Sequence, residues 1–121
     1  MTRRSEVGQT GEDIVAKELK TKGYRILERN YLKPWGELDI VAIAPDRTLV
    51  FVEVKTLQES QDFTPEKSLS PAKLVKLQRI AQLYAGFNEK HVDEQMGWRI
   101  DLAAVTLFDD GRHTIRYYEN L

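Results

Sequence analysis

Cysteine is missing from this sequence of 121 residues, and histidine occurs only twice. The chain therefore has no disulfide, no thiol nucleophile and no cysteine-ligated zinc or iron–sulfur site. An excess of charge of one sign is missing as well, because 18 lysines and arginines against 19 acidic residues leave a formal net charge of -1. That balance excludes a polybasic protein that captures nucleic acid through its overall charge.

Long hydrophobic runs are also missing. The longest apolar stretch, Ile40 to Ala44, is far shorter than the ~20 residues of a membrane-spanning helix. No apolar segment follows the arginines near the N-terminus, so we predict no signal peptide. The content of 41% hydrophobic residues fits one folded domain over residues 1–121. We expect a cytoplasmic protein with no membrane partner.

The spacing of apolar residues predicts the element order α-β-β-β-α-β-β. A first helix is expected to begin at Thr10, with Asp13 completing an approximate capping box, and to end before Gly23. A second helix is expected after Ser70, since a proline follows at the first helical position. Residues 56–69 are expected to form a polar loop. Strands are expected at 24–31, 37–44, 49–55, 98–108 and 113–118. The prediction is an α/β domain whose helices flank a mixed central sheet.

One expected strand carries an acidic residue directly after a strongly apolar run. Residues 49–52 are apolar on both faces, which is typical of a central strand. Burying the charged Glu53 there costs several kcal/mol unless it is neutralised, paired with a cation or bound to a metal. Lys55 lies two residues on and therefore faces the same side. Taken alone, this Glu-x-Lys pattern most often indicates a structural ion pair.

Asp39 in the preceding strand favours a different interpretation. A hairpin turn centred on Asp46 places Asp39 opposite Glu53, because both lie seven positions from that centre. Opposed Cβ atoms are ~4.5–5.5 Å apart, so two carboxylates can share one divalent ion. Strict alternation along the strand would put Leu38 and Ile40 together on the face opposite to Asp39. A turn with an even number of residues would instead separate the two acids.

Two carboxylates and a lysine on one face suit metal-dependent hydrolysis of phosphodiesters. Mg²⁺, or Mn²⁺ as its substitute, prefers oxygen ligands and retains water molecules, one of which can become the nucleophile. Lys55 would orient that water or stabilise the charge that develops on the phosphate.

Several further residues are candidates for nucleic-acid binding. Lys73 falls in the first turn of the second helix, where a cation opposes the helix dipole, and this indicates a role facing phosphate. Lys76 and Arg79 extend the basic segment. Trp35 could stack on a base or cover the edge of the sheet. For the lysines, exposure to solvent without a role is the alternative.

The segments 36–40 and 51–56 resemble the D…ExK signature of the PD-(D/E)xK nuclease superfamily. The whole chain resembles the YraN-like family of small bacterial proteins, thought to be related to archaeal Holliday-junction resolvases. The resemblance also rests on Gly8, Gly11, Glu12, Ala16, Leu19, Gly23, Tyr24, Asn30, Tyr31, Pro71, Ala72, Lys73, Arg99, Ile100 and Asp101. It implies a restriction-endonuclease-like αβββαβ core.

The resemblance also implies a site and a substrate. Asp39 and Glu53 would be metal ligands, with Glu12 and the Val54 carbonyl completing the set, and Lys55 would be the catalytic lysine. DNA, including branched or damaged DNA, would be the substrate, and a homodimer follows by analogy with the resolvases. From the residues alone, the favoured explanation of Glu12 is an acid in the first turn of a helix.

Two other functions stay open at this point. The first is a catalytically inactive module that keeps the nuclease fold and binds nucleic acid or a partner; Leu57 stands where the family usually carries an arginine. The second is a purely structural cluster of Asp39, Glu53 and Lys55. Arg99 and Asp101 share a strand face, and we expect them to form an ion pair that holds the sheet, with a role facing the substrate as the alternative.

Overall fold

The computed structural model describes residues 6–61 and 69–121. Its elements are α1 (Glu6–Thr21), β1 (Arg25–Lys33), β2 (Gly36–Ile43), β3 (Leu49–Gln58), α2 (Pro71–Phe87), a 3-10 helix (Glu89–His91), β4 (Trp98–Leu107) and β5 (His113–Tyr118). The strands form one sheet in the order β1-β2-β3-β4-β5. β3 and β4 are parallel, and the other neighbouring pairs are antiparallel. The predicted mixed α/β class and element order are confirmed.

Helix α1 begins earlier than the sequence predicted. The Thr10 hydroxyl donates to the Glu6 carbonyl at 2.8 Å, inside the helix. The prediction that Thr10 is the N-cap, with Asp13 in a capping box, is therefore wrong, because another helical turn precedes it. The predicted end is correct: Gly23 has φ +92° and its amide bonds the Lys20 carbonyl at 3.0 Å, as in a Schellman motif.

Helix α2 begins where the sequence predicted. Ser70 is the N-cap, its hydroxyl accepts the Lys73 amide at 3.3 Å, and Pro71 occupies the first helical position. Neither α1 nor α2, nor the short helix in the described ranges, is long and apolar enough to cross a membrane.

The two long helices cover opposite faces of the sheet. The core under α1 includes Ile40, Ala42, Val50, Val52, Ala103 and Val105. The core under α2 includes Leu38, Val41, Leu49, Phe51 and Ile100. We call these the α1 face and the α2 face. The apolar start of β3 contributes to both cores, which confirms it as a central strand covered on both sides.

The β2–β3 hairpin has the predicted register. Its turn consists of residues 45–47, closed by the Ala44 amide on the Thr48 carbonyl at 2.9 Å, and Arg47 has φ +78°. A left-handed third residue is typical of three-residue hairpin loops. The strands pair Ile40 with Val52 and Ile43 with Leu49, which is the alignment expected for a turn centred on residue 46.

The predicted loop after β3 starts too early. Residues 56–58 belong to β3 and pair with residues 105–107 of β4. Their hydrogen bonds come from a parallel strand far along the chain, so local polarity could not reveal them. Of the remaining residues expected in this loop, 62–68 lie outside the described residues.

Replacing a glycine by alanine should have opposite effects on the free energy of unfolding in the two long helices. A Cβ on Gly11 would overlap Thr56 Oγ1 and lie 3.0 Å from Thr56 Cβ, whereas a Cβ on Gly86 would meet nothing within 4 Å. Gly11→Ala should lower the free energy of unfolding by ~1–3 kcal/mol through overpacking. Gly86→Ala should raise it by ~0.4–1 kcal/mol because the unfolded chain loses freedom. Urea unfolding of both variants measures this, and equal shifts would contradict the packing of α1 on β3.

Candidate active site

Strand β2 changes its orientation at Asp39. Leu38 packs in the core under α2, although Ile40, only two residues later, packs in the core under α1. Regular alternation would put both on one face. The prediction that Leu38 shares a face with Ile40 is therefore wrong. The regular alternation of side chains in β2 is interrupted between these two residues.

Strand β1 changes face at the same level. Tyr31 stacks edge-on against Tyr84 of α2, with ring centroids 5.1 Å apart, whereas Arg29 reaches Glu12 in α1. The residue between them, Asn30, has φ +54°. Asn30 lies across from Asp39, between the pairs Arg29–Ile40 and Tyr31–Leu38. Asparagine tolerates this left-handed conformation better than most residues.

The Asp39 carboxylate takes the place of a backbone acceptor in the sheet. The pairing of β2 with β3 stops at Ile40 and Val52. Two residues beyond Val52, the Val54 amide donates to Asp39 Oδ2 at 2.9 Å. Since the amide and carbonyl of a strand residue point to the same side, the Val54 carbonyl also faces Asp39. Asp39 is only 9% exposed, so the bond lies at the edge of the core.

Glu53 and Lys55 flank Val54 and face an open groove. This groove, which we call the α2 groove, has a volume of about 400 Å³ and lies between β2, β3 and the start of α2. Its polar lining comprises Glu37, Glu53, Lys55, Lys73 and Lys76, and Trp35 stands at its rim. Glu37 is a groove residue that was not predicted; its position two residues before Asp39 was the available signal.

Of the four residues predicted to contact nucleic acid, three line the α2 groove and one does not. Lys73, Lys76 and Trp35 line the α2 groove, and the Trp35 side chain is 50% exposed. Arg79 is exposed further along α2 and does not line the groove. The structure thus brings three of these four residues to the same opening as Glu53 and Lys55.

Glu12 has a different environment from the one expected. It lies in the middle of α1, since the helix begins at Glu6, and its exposure is 0%. The explanation as a first-turn acid is therefore wrong. Arg29 donates to Glu12 Oε1 at 3.2 Å and also bonds Asp13. Burial acts to lower the pKa of Arg29, but the bonds to Asp13 and Glu12 outweigh it and raise that pKa above its ordinary value.

The oxygen atoms near Val54 fit a hard divalent ion. Asp39 and Glu53 would contribute carboxylates and Val54 a carbonyl, and such all-oxygen sets suit Mg²⁺ or Mn²⁺. The part of the chain that the structure describes contains no group of three or more acidic or histidine side chains that could hold a metal ion. Glu12 bonds Arg29 on the α1 face, whereas Glu53 lines the α2 groove.

Arg99 and Asp101 form the predicted ion pair. Arg99 Nε lies 3.1 Å from Asp101 Oδ1 and 3.2 Å from Oδ2. Asp101 Oδ1 also accepts the Asn120 amide at 3.0 Å, and Arg99 donates to the Tyr24 hydroxyl at 3.3 Å. Asp101 pairs with Val52 in the sheet, so the cluster lies on the α1 face, away from the α2 groove. It ties β4 to the C-terminal residues.

The αβββαβ order, the five-stranded mixed sheet and the two flanking helices are those of a restriction-endonuclease-like α/β domain. The sequence profile of the uncharacterised protein family UPF0102 matches residues 11–105. The chain belongs to this family, which confirms the resemblance to YraN-like proteins.

Individual relatives align over most of their length. A UPF0102 protein of Pelobacter propionicus is 43% identical over 114 residues, covering 93% of this chain and 79% of the relative. One from Syntrophomonas wolfei is 36% identical and covers 95% and 96%. One from Moorella thermoacetica is 51% identical and covers 71% and 70%.

The change of face should depend on the left-handed conformation of Asn30. Asn30→Val should lower the free energy of unfolding by ~1–2 kcal/mol, because a β-branched residue disfavours positive φ. Asn30→Gly, which adopts that conformation readily, serves as the matched control and should lower it much less. Denaturant unfolding followed by tryptophan fluorescence measures both. A glycine variant as unstable as the valine variant would contradict this role.

Proposed function

We propose that this protein is a metal-dependent endonuclease that hydrolyses phosphodiester bonds of DNA, branched or damaged DNA included. One observation carries the proposal. The Asp39 carboxylate binds the Val54 amide, and the two neighbours of Val54, Glu53 and Lys55, face an open groove lined by further lysines. A cytoplasmic location, where bacterial DNA lies, goes with this proposal.

Each side chain has a distinct role in this proposal. Asp39, Glu53 and the Val54 carbonyl would hold Mg²⁺ or Mn²⁺. When bound, such an ion polarises a phosphate oxygen and makes a coordinated water a better nucleophile. Lys55, which shares its strand face with Glu53, holds a positive charge at the position where negative charge develops on the phosphate. Its ammonium would also orient the attacking water.

The lysines in the wall of the α2 groove favour a polyanionic substrate. Lys73 and Lys76 lie in the first two turns of α2 and line the groove. The amides of a helix N-terminus and nearby lysines together attract phosphate. Trp35 at the rim offers an exposed ring on which a base can stack. Arg79 would contact only a substrate that extends along α2.

A binding module with the same fold and no catalysis is the second candidate function. The observation that favours it is the lack, among residues 6–61 and 69–121, of any group of three metal-ligating side chains. Such a module would use the basic wall of the groove and leave Asp39 as a structural acceptor for the Val54 amide. Purely structural roles for Asp39, Glu53 and Lys55 would predict neither metal binding nor cleavage.

Substitutions in the site should abolish cleavage without unfolding the protein. Asp39→Asn keeps an oxygen for the Val54 amide but removes the charge, Glu53→Gln removes the second carboxylate charge, and Lys55→Met removes the ammonium. Each should reduce cleavage by about 10²–10⁴-fold. The assay compares linear, nicked and four-way DNA and RNA, with Mg²⁺, with Mn²⁺ and with EDTA.

Matched controls lie away from the groove. Glu89→Gln and Lys17→Met make the same charge changes at exposed positions and should cleave like the wild type. Cleavage by the Asp39 and Lys55 variants at the wild-type rate would refute the assigned roles. Binding without metal-stimulated cleavage on every substrate would favour the module. Calorimetry with Mn²⁺ adds a direct test, because Asp39→Asn should lose the heat of binding.

A further inference from the structure

The α2 face of the sheet continues beyond the region that α2 covers. A second cavity of about 320 Å³ lies over β3, β4 and β5. Its lining consists of Leu57, Ala104, Thr106, Thr114, Ile115 and Arg116. No residue of α2 is part of that lining. Leu57 and Ala104 are buried, whereas Thr114 and Arg116 are exposed. We call this second cavity the β5 cavity.

The sheet register connects the β5 cavity to the candidate active site. Lys55 pairs with Ala104 across β3 and β4, and Ala104 pairs with Arg116 across β4 and β5. The three residues therefore form one row on one face. Two strand spacings separate Lys55 from Arg116, about 9–10 Å between their Cα atoms. The small Ala104 side chain between them leaves the row low enough for a ligand to lie across it.

The adjacent row supplies hydroxyl groups. Thr106 of β4 pairs directly with Thr114 of β5, and both line the β5 cavity beside Arg116. Arginine guanidinium and threonine hydroxyl groups are common donors to phosphate oxygens. Among the described side chains, no acidic residue forms an ion pair with Arg116. The cavity thus brings the exposed Arg116 together with two threonines at paired positions of β4 and β5.

We propose that the β5 cavity is a phosphate-binding subsite that holds a backbone phosphate of the nucleic acid through Arg116, Thr106 and Thr114. This inference rests on the proposed function and specifies how the substrate lies. The strand would run from the lysines of the α2 groove, over Glu53 and Lys55, to Arg116. Phosphates on both sides of the reacting one would then be held by the protein.

The first test measures binding of a labelled DNA oligonucleotide in EDTA over a range of salt concentrations. Arg116→Met should weaken binding about 3–10-fold and reduce the slope of log K against log salt by about one. Arg116→Lys should fall between it and the wild type, because lysine keeps the charge but loses the guanidinium fork. Arg25→Met, the same change at an exposed position outside both cavities, should leave binding unchanged. On a DNA that the wild type binds, equal binding by Arg116→Met would overturn the subsite.

Kinetics separate this role from a structural one. Arg116→Met should raise KM while leaving kcat near the wild-type value, since a contact remote from the reacting phosphate affects bound substrate and transition state alike. A fall in kcat with unchanged KM would contradict the assignment.

A titration with inorganic phosphate distinguishes failure of this inference from failure of the proposed function. Amide NMR signals of Thr106, Thr114 and Arg116 should shift in the wild type and stay fixed in Arg116→Met. Such shifts support the subsite even in a protein that cleaves nothing. If the wild type shows these shifts but binds no oligonucleotide, the cavity binds the phosphate group of a small molecule and not that of a nucleic acid. If the wild type shows no shifts and no loss of DNA binding follows Arg116→Met, the inference is wrong whatever the cleavage assay shows.

Discussion

The hydrogen bond from the Val54 amide to the Asp39 carboxylate determines where the β2–β3 pairing stops and where the α2 groove opens. A backbone amide at the edge of a core needs an acceptor, and the neighbouring strand would ordinarily supply a carbonyl. Here a side chain supplies it, so the two strands separate without leaving that amide unsatisfied. Glu53 and Lys55, on either side of Val54, are consequently fixed at the wall of the groove.

The α1 face of the same strands carries an ion pair at the level where β2 and β3 stop pairing. Both β1 and β2 change face beyond the pair Arg29–Ile40, and Arg29 itself lies on the α1 face with Ile40. Its guanidinium meets Glu12, whose burial would be costly without a cation. The Arg29–Glu12 pair therefore connects α1 to β1 at the level of Asp39. The candidate site and this ion pair thus lie at the same level of the sheet, on opposite faces.

Local signals in the sequence predicted part of this arrangement and missed the rest for identifiable reasons. The hairpin register followed from the three-residue turn around Asp46, because turn length fixes the pairing of an antiparallel hairpin. The favourable cap at Thr10 was misleading, since four more residues before it continue the helix. The extension of β3 to Gln58 depends on a parallel partner that is distant in the chain. The change of face at Asp39 depends on Asn30 in another strand, so alternation within β2 alone could not reveal it.

The near-zero net charge conceals a difference between the two faces of the sheet. On the α1 face, Arg29 and Arg99 are matched by acidic partners within 3.2 Å. On the α2 face, three lysines line the groove against the two acids Glu37 and Glu53, and Arg116 lines the cavity beyond it. Exposed charges act over only about 8–10 Å at physiological ionic strength, so a polyanion responds to one face and not to the total. Balanced composition therefore excludes capture by global charge but leaves recognition by contacts along the α2 face intact.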